Sequence, residues 1–263
     1  MAGLIAKGPK GQQDAENMLS YMNNQPDMLT AILKHRTDFK GHPGDLYILP
    51  IPKTLDKIII QAQPPRSRKP VEVEIKFDPP MEDLTDFRPR ILAWRDEAFK
   101  HYKIQGKPKI GYYSEPDLFP FTLPIIVGLA ALGFALYGKG DYADKFRFWI
   151  NNFFGPGMLP AAKWLVIVSH SVETVYMAWA MTQHSVPLFS SILWVFSTAL
   201  LGWATISEFW ESIQYERLRH ILRQTDVGDI PPRVGGSAQA RTAVTSASAG
   251  SGPKPVKGKK KAQ

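Results

Sequence analysis

The fold class this sequence predicts is an α+β N-terminal domain, followed by an all-α bundle of three transmembrane helices and a disordered basic tail. Three observations predict it. Residues 71–77 alternate strictly between apolar and charged positions after two proline-bounded extended runs, the mark of a half-buried antiparallel strand. Apolar runs of roughly 20 residues, long enough to cross a bilayer as helices, lie at 118–137, 164–182 and 188–206. Beyond Val227, Gly, Ser, Ala, Pro and Lys dominate, a composition that cannot build a packed core.

Residues 1–13 contain Gly and Lys without an apolar centre, so they read as a flexible N-terminus and not as a secretory leader. The domain at 14–105 opens with two helices. Met18, Tyr21 and Met22 share one face of the first, while Pro26 in the first turn and Met28, Leu29, Ile32 and Leu33 mark the second. Gly41-His42-Pro43-Gly44 breaks the helix, and extended runs follow at 46–51, 55–63 and 71–77. Asp78-Pro79-Pro80 ends the last of them. Phe87, Ile91, Trp94, Ala98 and Tyr102 then recur at helical spacing, which predicts an amphipathic helix laid across the sheet.

Residues 106–117 read as a linker to the first membrane helix. In 138–160, Tyr142, Phe146, Trp149, Ile150 and Phe153 fall on one helical face, suiting a short helix in the bilayer interface. Trp164, Trp179, Trp203 and Trp210 stand near the expected ends of the second and third helices as interfacial anchors. Residues 214–226 extend the third helix, and 227–263 form the tail.

The formal net charge is +8 over 263 residues, but from Asp226 onward seven Lys or Arg face two Asp, so the basic excess is mostly a property of the tail. No nucleic-acid partner is expected from it. The absence of cysteine excludes disulfides, thiolate metal sites and a cysteine nucleophile. No phosphate-binding glycine loop, dinucleotide fingerprint or nucleophile elbow is present.

The sharpest candidate site is His170 with Glu173. Three residues apart on a helix, they share a face, and ionisable groups at bilayer depth cost about 2.5–3.5 kcal/mol each on insertion scales. Two readings stand. The pair is a polar clasp between packed helices, with Ser190, Ser197 or Thr198 as partners, or it is an acid-base or ligand-binding pair. Two residues alone do not make a metal site. His35, at a helix end, and His42, in a turn, are expected at the surface, and Arg66, Arg68 and Lys69 form a basic loop able to meet anionic headgroups.

Glu74-Ile75-Lys76-Phe77-Asp78-Pro79-Pro80-Met81 and the helix after it resemble the end of domain of unknown function 2470, the small α+β domain appended to haem-degrading and pyridoxamine-oxidase-like proteins. That resemblance implies a haem connection. Tyr21 and Gln25-Pro26, however, stand where the family carries histidines, so a haem-contact role does not carry over to them. His170-Ser171-Val172-Glu173-Thr174-Val175-Tyr176, with the Trp194 segment and Gly202, resembles domain of unknown function 4499, represented by transmembrane protein 254. Fungal integral membrane proteins combine the two domains, and the whole chain resembles them.

The expectation is therefore a multi-pass membrane protein of the endoplasmic reticulum with a tethered binding or assembly domain, its partners being the bilayer and other membrane proteins or a lipid ligand. The alternatives are a lipid- or sterol-modifying enzyme using His170 and Glu173, and a haem-handling protein. Basic residues flanking the helices favour a cytosolic C-terminus, and Lys260 and Lys261 resemble a dilysine retrieval signal. Three crossings would then send the first domain to the lumen without a leader. A cytosolic N-terminal domain is the expectation adopted, which makes the dilysine match a coincidence or requires that one apolar segment not cross.

Overall fold

The computed structural model describes residues 9–51, 55–64, 69–228 and 230. The basic residues Arg66 and Arg68, and the tail from 231 with Lys260 and Lys261, lie outside them. The described residues form two compact units, one of residues 9–104 together with 217–230, the other of residues 105–216.

The first unit is α+β. Helix α1 (Pro9–Asn23) begins earlier than the expected flexible stretch to residue 13 would allow. Pro9 opens it at a position where a missing N–H costs nothing, and Gln12 bonds Glu16 one turn on at 3.0 Å. Helix α2 (Pro26–Arg36) has Pro in its first turn and Lys34, His35 and Arg36 in its last, matching the helix dipole. Strands β1 (Asp45–Ile48), β2 (Lys57–Gln63) and β3 (Val71–Lys76) form an antiparallel sheet in that order, with Ile60 opposite both Ile48 and Val73. Along β2 the inward positions are Ile58, Ile60 and Ala62, all fully buried, as a period of two requires. β3 is buried only towards its end, at Ile75 and the following Phe77, whereas Val71 is exposed.

Helix α3 (Phe87–His101) buries Phe87, Ile91, Trp94 and Ala98, the stripe its spacing predicts. Trp94 stacks on Phe77 with ring centroids 4.7 Å apart, joining helix to sheet. Met22, Met28, Leu29, Ile32 and Leu33 complete this core. A second, smaller cluster unites Ala31, Ala98 and Tyr102 with Ile221, which comes from the other end of the chain. His220 Nε2 and Gln224 Nε2 both reach the Tyr102 carbonyl, at 3.0 and 2.9 Å, and Lys34 pairs with Asp226 at 2.7 Å. The α+β unit is thus closed by residues that the sequence assigns to a helical extension at 214–226.

The second unit is helical: α4 (Leu123–Tyr137), α5 (Asp141–Phe154), α6 (Met158–Gln183), α7 (Leu188–Leu201) and the first two-thirds of α8 (Trp203–Arg223). Among the described residues no single helix is long and apolar enough to cross a membrane; α4 and α5 meet that test only as a pair bent by 105°. The three expected spans differ for local reasons. The first, expected over 118–137, opens in a wide turn at 118–122 in which Phe119 is extended, as the residue before Pro120 is pushed to be, so its α-helix starts at Leu123. The second is longer than expected, 26 residues.

The third span, expected as one helix over 188–206, is broken. Gly202 adopts φ +59°, ψ −128°, a conformation in which a side chain is strongly disfavoured. There the chain reverses, since Trp194 and Phe209 pack edge to face 5.2 Å apart, whereas 15 residues of continuous helix would separate them by about 22 Å. Helices α7 and α8 therefore form a hairpin with Gly202 at its tip.

Residues 106–117 are not a free linker but a strap packed on this hairpin. Ile110 is fully buried and its N–H bonds the His184 carbonyl at 3.3 Å, while His184 Nδ1 donates to the Pro108 carbonyl at 2.9 Å. Trp194 Nε1 donates to the Tyr112 carbonyl at 3.1 Å, Tyr113 bonds Ser197 at 2.6 Å, and Ser114 donates to Glu208 at 2.7 Å. At the opposite end Tyr137 of α4 lies under Lys163 of α6. Helix α5 turns away there, with Arg147 Nη1 capping the last carbonyls of α4 at Ala135 and Gly138.

Candidate functional sites

His170 and Glu173 both face the tip of the hairpin. His170 Nδ1 lies 3.0 Å from the carbonyl of Ala199, in the last turn of α7. A carbonyl only accepts, so Nδ1 carries the proton. Gly202 fills the gap beyond: a Cβ there would sit 2.5 Å from Glu173 Oε2 and 3.1 Å from His170 Nε2. The arrangement has an electrostatic logic. A helix end leaves carbonyls without partners and the following helix start leaves N–H groups without partners, so a donor faces the end of α7 and a carboxylate faces the start of α8. Of the serine and threonine partners expected for this clasp, Ser197 bonds Tyr113 and Thr198 bonds its own helix at Trp194. His170 holds backbone instead, and Glu173 Oε2 is buried beside Gly202 with no hydrogen-bond partner.

In the α+β unit the two histidines differ from a plain surface reading. His35 packs its ring 4.7 Å from that of His101 and lies 3.6 Å from Glu97. His42 accepts a hydrogen bond from the Gly44 N–H at Nδ1, 2.9 Å away, which seals the turn it sits in. Burial, and then the nearby Lys34, push its pKa down to about 4, with Asp45 opposing. His42 is therefore a neutral structural group near neutrality. Among the described residues no three His, Cys, Asp or Glu side chains are placed to hold a metal.

The group that sequence reading missed is Asp27. Its position after Pro26 reads as an ordinary first-turn acid of α2, yet it is 1% exposed and neither carboxylate oxygen accepts a hydrogen bond of good geometry. Arg217 approaches Oδ2 to 3.5 Å from 190 residues further along the chain. No local pattern could have announced that. Burial raises the Asp27 pKa, and Arg217 with the first-turn amides of α2 opposes the rise without cancelling it. Asp27 lines a cavity of about 250 Å³ with Tyr21, Gln25, Arg95, Phe99 and Arg217. This is below the size of pockets that take drug-sized ligands, and too small for a haem macrocycle.

A raised carboxyl pKa has a defined sign. Folding is penalised by the ionised group above the folded-state pKa and is free of that penalty below the unfolded value of 3.8. Asp27→Asn is accordingly expected to raise the unfolding temperature at neutral pH, with the gain closing as the pH falls towards 3.8. Thermal unfolding of both proteins across that range checks it. An Asn variant less stable at neutral pH would show that the Arg217 pair outweighs the burial.

Comparison with protein families, characterised proteins and solved structures returns no match to this chain.

Proposed function

We propose that the chain is a multi-pass membrane protein whose α+β unit is a tethered binding or assembly module. One observation carries the reading: the helical unit turns large apolar side chains outward, while its apolar core around Trp194 and Phe209 also encloses polar groups. His184 and Glu208 are 6% and 4% exposed and Ser114, Thr198, Thr205 and Ser212 are fully buried, while Leu165, Val175 and Phe189 are 70%, 71% and 75% exposed. Contiguous apolar surface on this scale marks a site of membrane or protein contact, and buried polar pairs are the glue of helices in lipid. The exposed side chains of Tyr142, Trp149 and Phe153 on α5 suit the bilayer interface. The endoplasmic reticulum is the membrane to which the resemblance points.

The closure of the α+β unit by residues 217–230 restricts how the chain enters lipid. Residues 104 and 217 belong to one unit, so they lie on one side of any membrane, and the number of crossings between them is even. In length, though not in apolar composition, helix α6 at about 39 Å exceeds a hydrocarbon core of about 30 Å, and α4, about 22 Å by itself, reaches that length with the turn 118–122 before it. Helix α7, about 21 Å, does not. The α7–α8 hairpin is then re-entrant, with Gly202 and its His170–Glu173 clasp at depth. Non-helical backbone is tolerated there because it is buried in protein. An even count is compatible with the expected cytosolic N-terminal domain and with the basic flanks that favour a cytosolic C-terminal side.

With His170 Nδ1–H bonded to a backbone carbonyl, the basic atom of the ring is Nε2, which faces Gly202. Carbonate extraction of the expressed protein is the first test: retention in the pellet is expected, and recovery in the supernatant would sink the membrane assignment. Protease protection of sealed microsomes with a tag at each terminus is the second. Both tags should be cleaved, and one protected tag means an odd number of crossings.

A further inference from the structure

We propose that α5 and the lysines around it form a binding surface for anionic phospholipid headgroups. This rests on reading the helical unit as membrane-embedded and names the lipid class it meets. With α4 along the bilayer normal, the 105° bend sets α5 within about 15° of the membrane plane. That setting is built into the backbone, because α5 is bounded by Gly140 and Gly155 at φ +95° and +91°, values that glycine alone adopts readily. Arg147 fastens α5 to the end of α4 through the Ala135 and Gly138 carbonyls. At about 100° per residue the side chains of α5 then fall in layers. Tyr142, Phe146, Trp149, Ile150 and Phe153 make the apolar face, of which Tyr142, Trp149 and Phe153 are 84%, 54% and 72% exposed. Lys145 flanks that face, about 40° round the helix from Trp149, whereas Asp141 and Asp144 lie towards the opposite side, where Phe148 departs from the order. Cations at the edge of an apolar face with acids beyond them match a leaflet, in which acyl chains give way to phosphates and then to water. Asp144 is paired with Arg147 and Asp141 stands in the first turn against the helix dipole, and neither pairs with Lys145. Lys139 and Lys145 are exposed without a carboxylate partner among the described residues. Lys163 lies over the Tyr137 ring, 6.0 Å from its centre, which brings a third ammonium to the end of α4 from which α5 departs. Three cations without acids beside an exposed aromatic face fit an anionic leaflet; a zwitterionic headgroup would bring its own ammonium against them.

The test uses the full chain reconstituted in phosphatidylcholine vesicles that carry an equal, small fraction of brominated phosphatidylserine or of brominated phosphatidylcholine. Bromine quenches nearby indoles, and the part of the quenching that disappears in Trp149→Phe belongs to Trp149. That part is expected to be about twofold or more larger with the brominated phosphatidylserine, a modest share of the attraction that two lysines at a membrane surface supply. The preference should fade in high salt. It should also fall sharply in the double variant Lys139→Gln, Lys145→Gln, whose circular dichroism should match the parent because both side chains are exposed and unpaired. Equal quenching by the two lipids, or a preference unchanged by the double substitution, overturns the proposal. So does a Trp149 quenched by neither lipid, which means that a second copy or another protein covers α5. Equal quenching in a protein that still pellets after carbonate removes the headgroup preference and leaves the anchoring. A phosphatidylserine preference in a protein that carbonate extracts keeps α5 as a membrane contact and removes the crossings.

Discussion

Replacing Trp194 with alanine is expected to destabilise the helical unit by about 4 kcal/mol, the upper range for emptying a large buried aromatic site. Trp194 is fully buried, with Tyr113 and Phe209 packed edge to face at 4.9 and 5.2 Å. It also supplies the hydrogen bond to the Tyr112 carbonyl. The indole therefore pins three pieces of chain together, α7, α8 and the strap at 106–117. In lipid the transfer part of the loss shrinks, because the surroundings are as apolar as the core, but the lost packing contacts remain. Trp194→Phe keeps much of the packing and loses the donor, so about 1–2 kcal/mol is expected for it. Thermal unfolding of the purified variants in micelles separates the two. An alanine variant within about 1 kcal/mol of the parent, small against ordinary large-to-small core losses, would mean that the strap does not depend on the indole.

Gly202→Ala is the second large effect, about 3 kcal/mol, and it has two separable parts. The backbone part is the cost of holding a side chain at φ +59°, ψ −128°, roughly 1–3 kcal/mol for a sparsely populated conformation. The steric part is the collision of the new methyl with Glu173 Oε2 and His170 Nε2. Combining Gly202→Ala with Glu173→Ala should return only the steric share, so the double variant is expected to be more stable than the sum of the singles predicts. Strict additivity would show that the clasp and the hairpin tip are independent. A full rescue would show that the backbone at Gly202 relaxes freely.

The elements with a strong period were legible in the sequence. The alternation of β3, the stripe of α3 and the proline-opened α2 follow from side-chain spacing alone, and that spacing is a local property. The amphipathic α5 belongs with them. The clasp was legible as a pair, since His170 and Glu173 share a face, but its partner was not. Glycine is common in apolar helices, so Gly202 carries no mark that separates a packing glycine from one at which the chain turns back. The strap read as a linker because its lysines, prolines and glycines surround Ile110 and Tyr113, the side chains by which it packs. Arg217 and Ile221 read as parts of an amphipathic extension; nothing near them in sequence points to Asp27, Ala31 or Tyr102. Contacts across such separations are set by topology, and a one-dimensional pattern does not contain it.

The closing of the α+β unit by the end of α8 also orders events in time. When the ribosome has released residue 104, the groove between Ala31, Ala98 and Tyr102 has no Ile221 to fill it and Asp27 has no Arg217. The missing turns are more than a hundred residues away, on the order of ten seconds of synthesis at 5–20 residues per second. During that interval the nascent domain waits half-dressed, and the helical unit must be made and placed first. Maturation of the first domain is thereby a read-out that the last helix has been made.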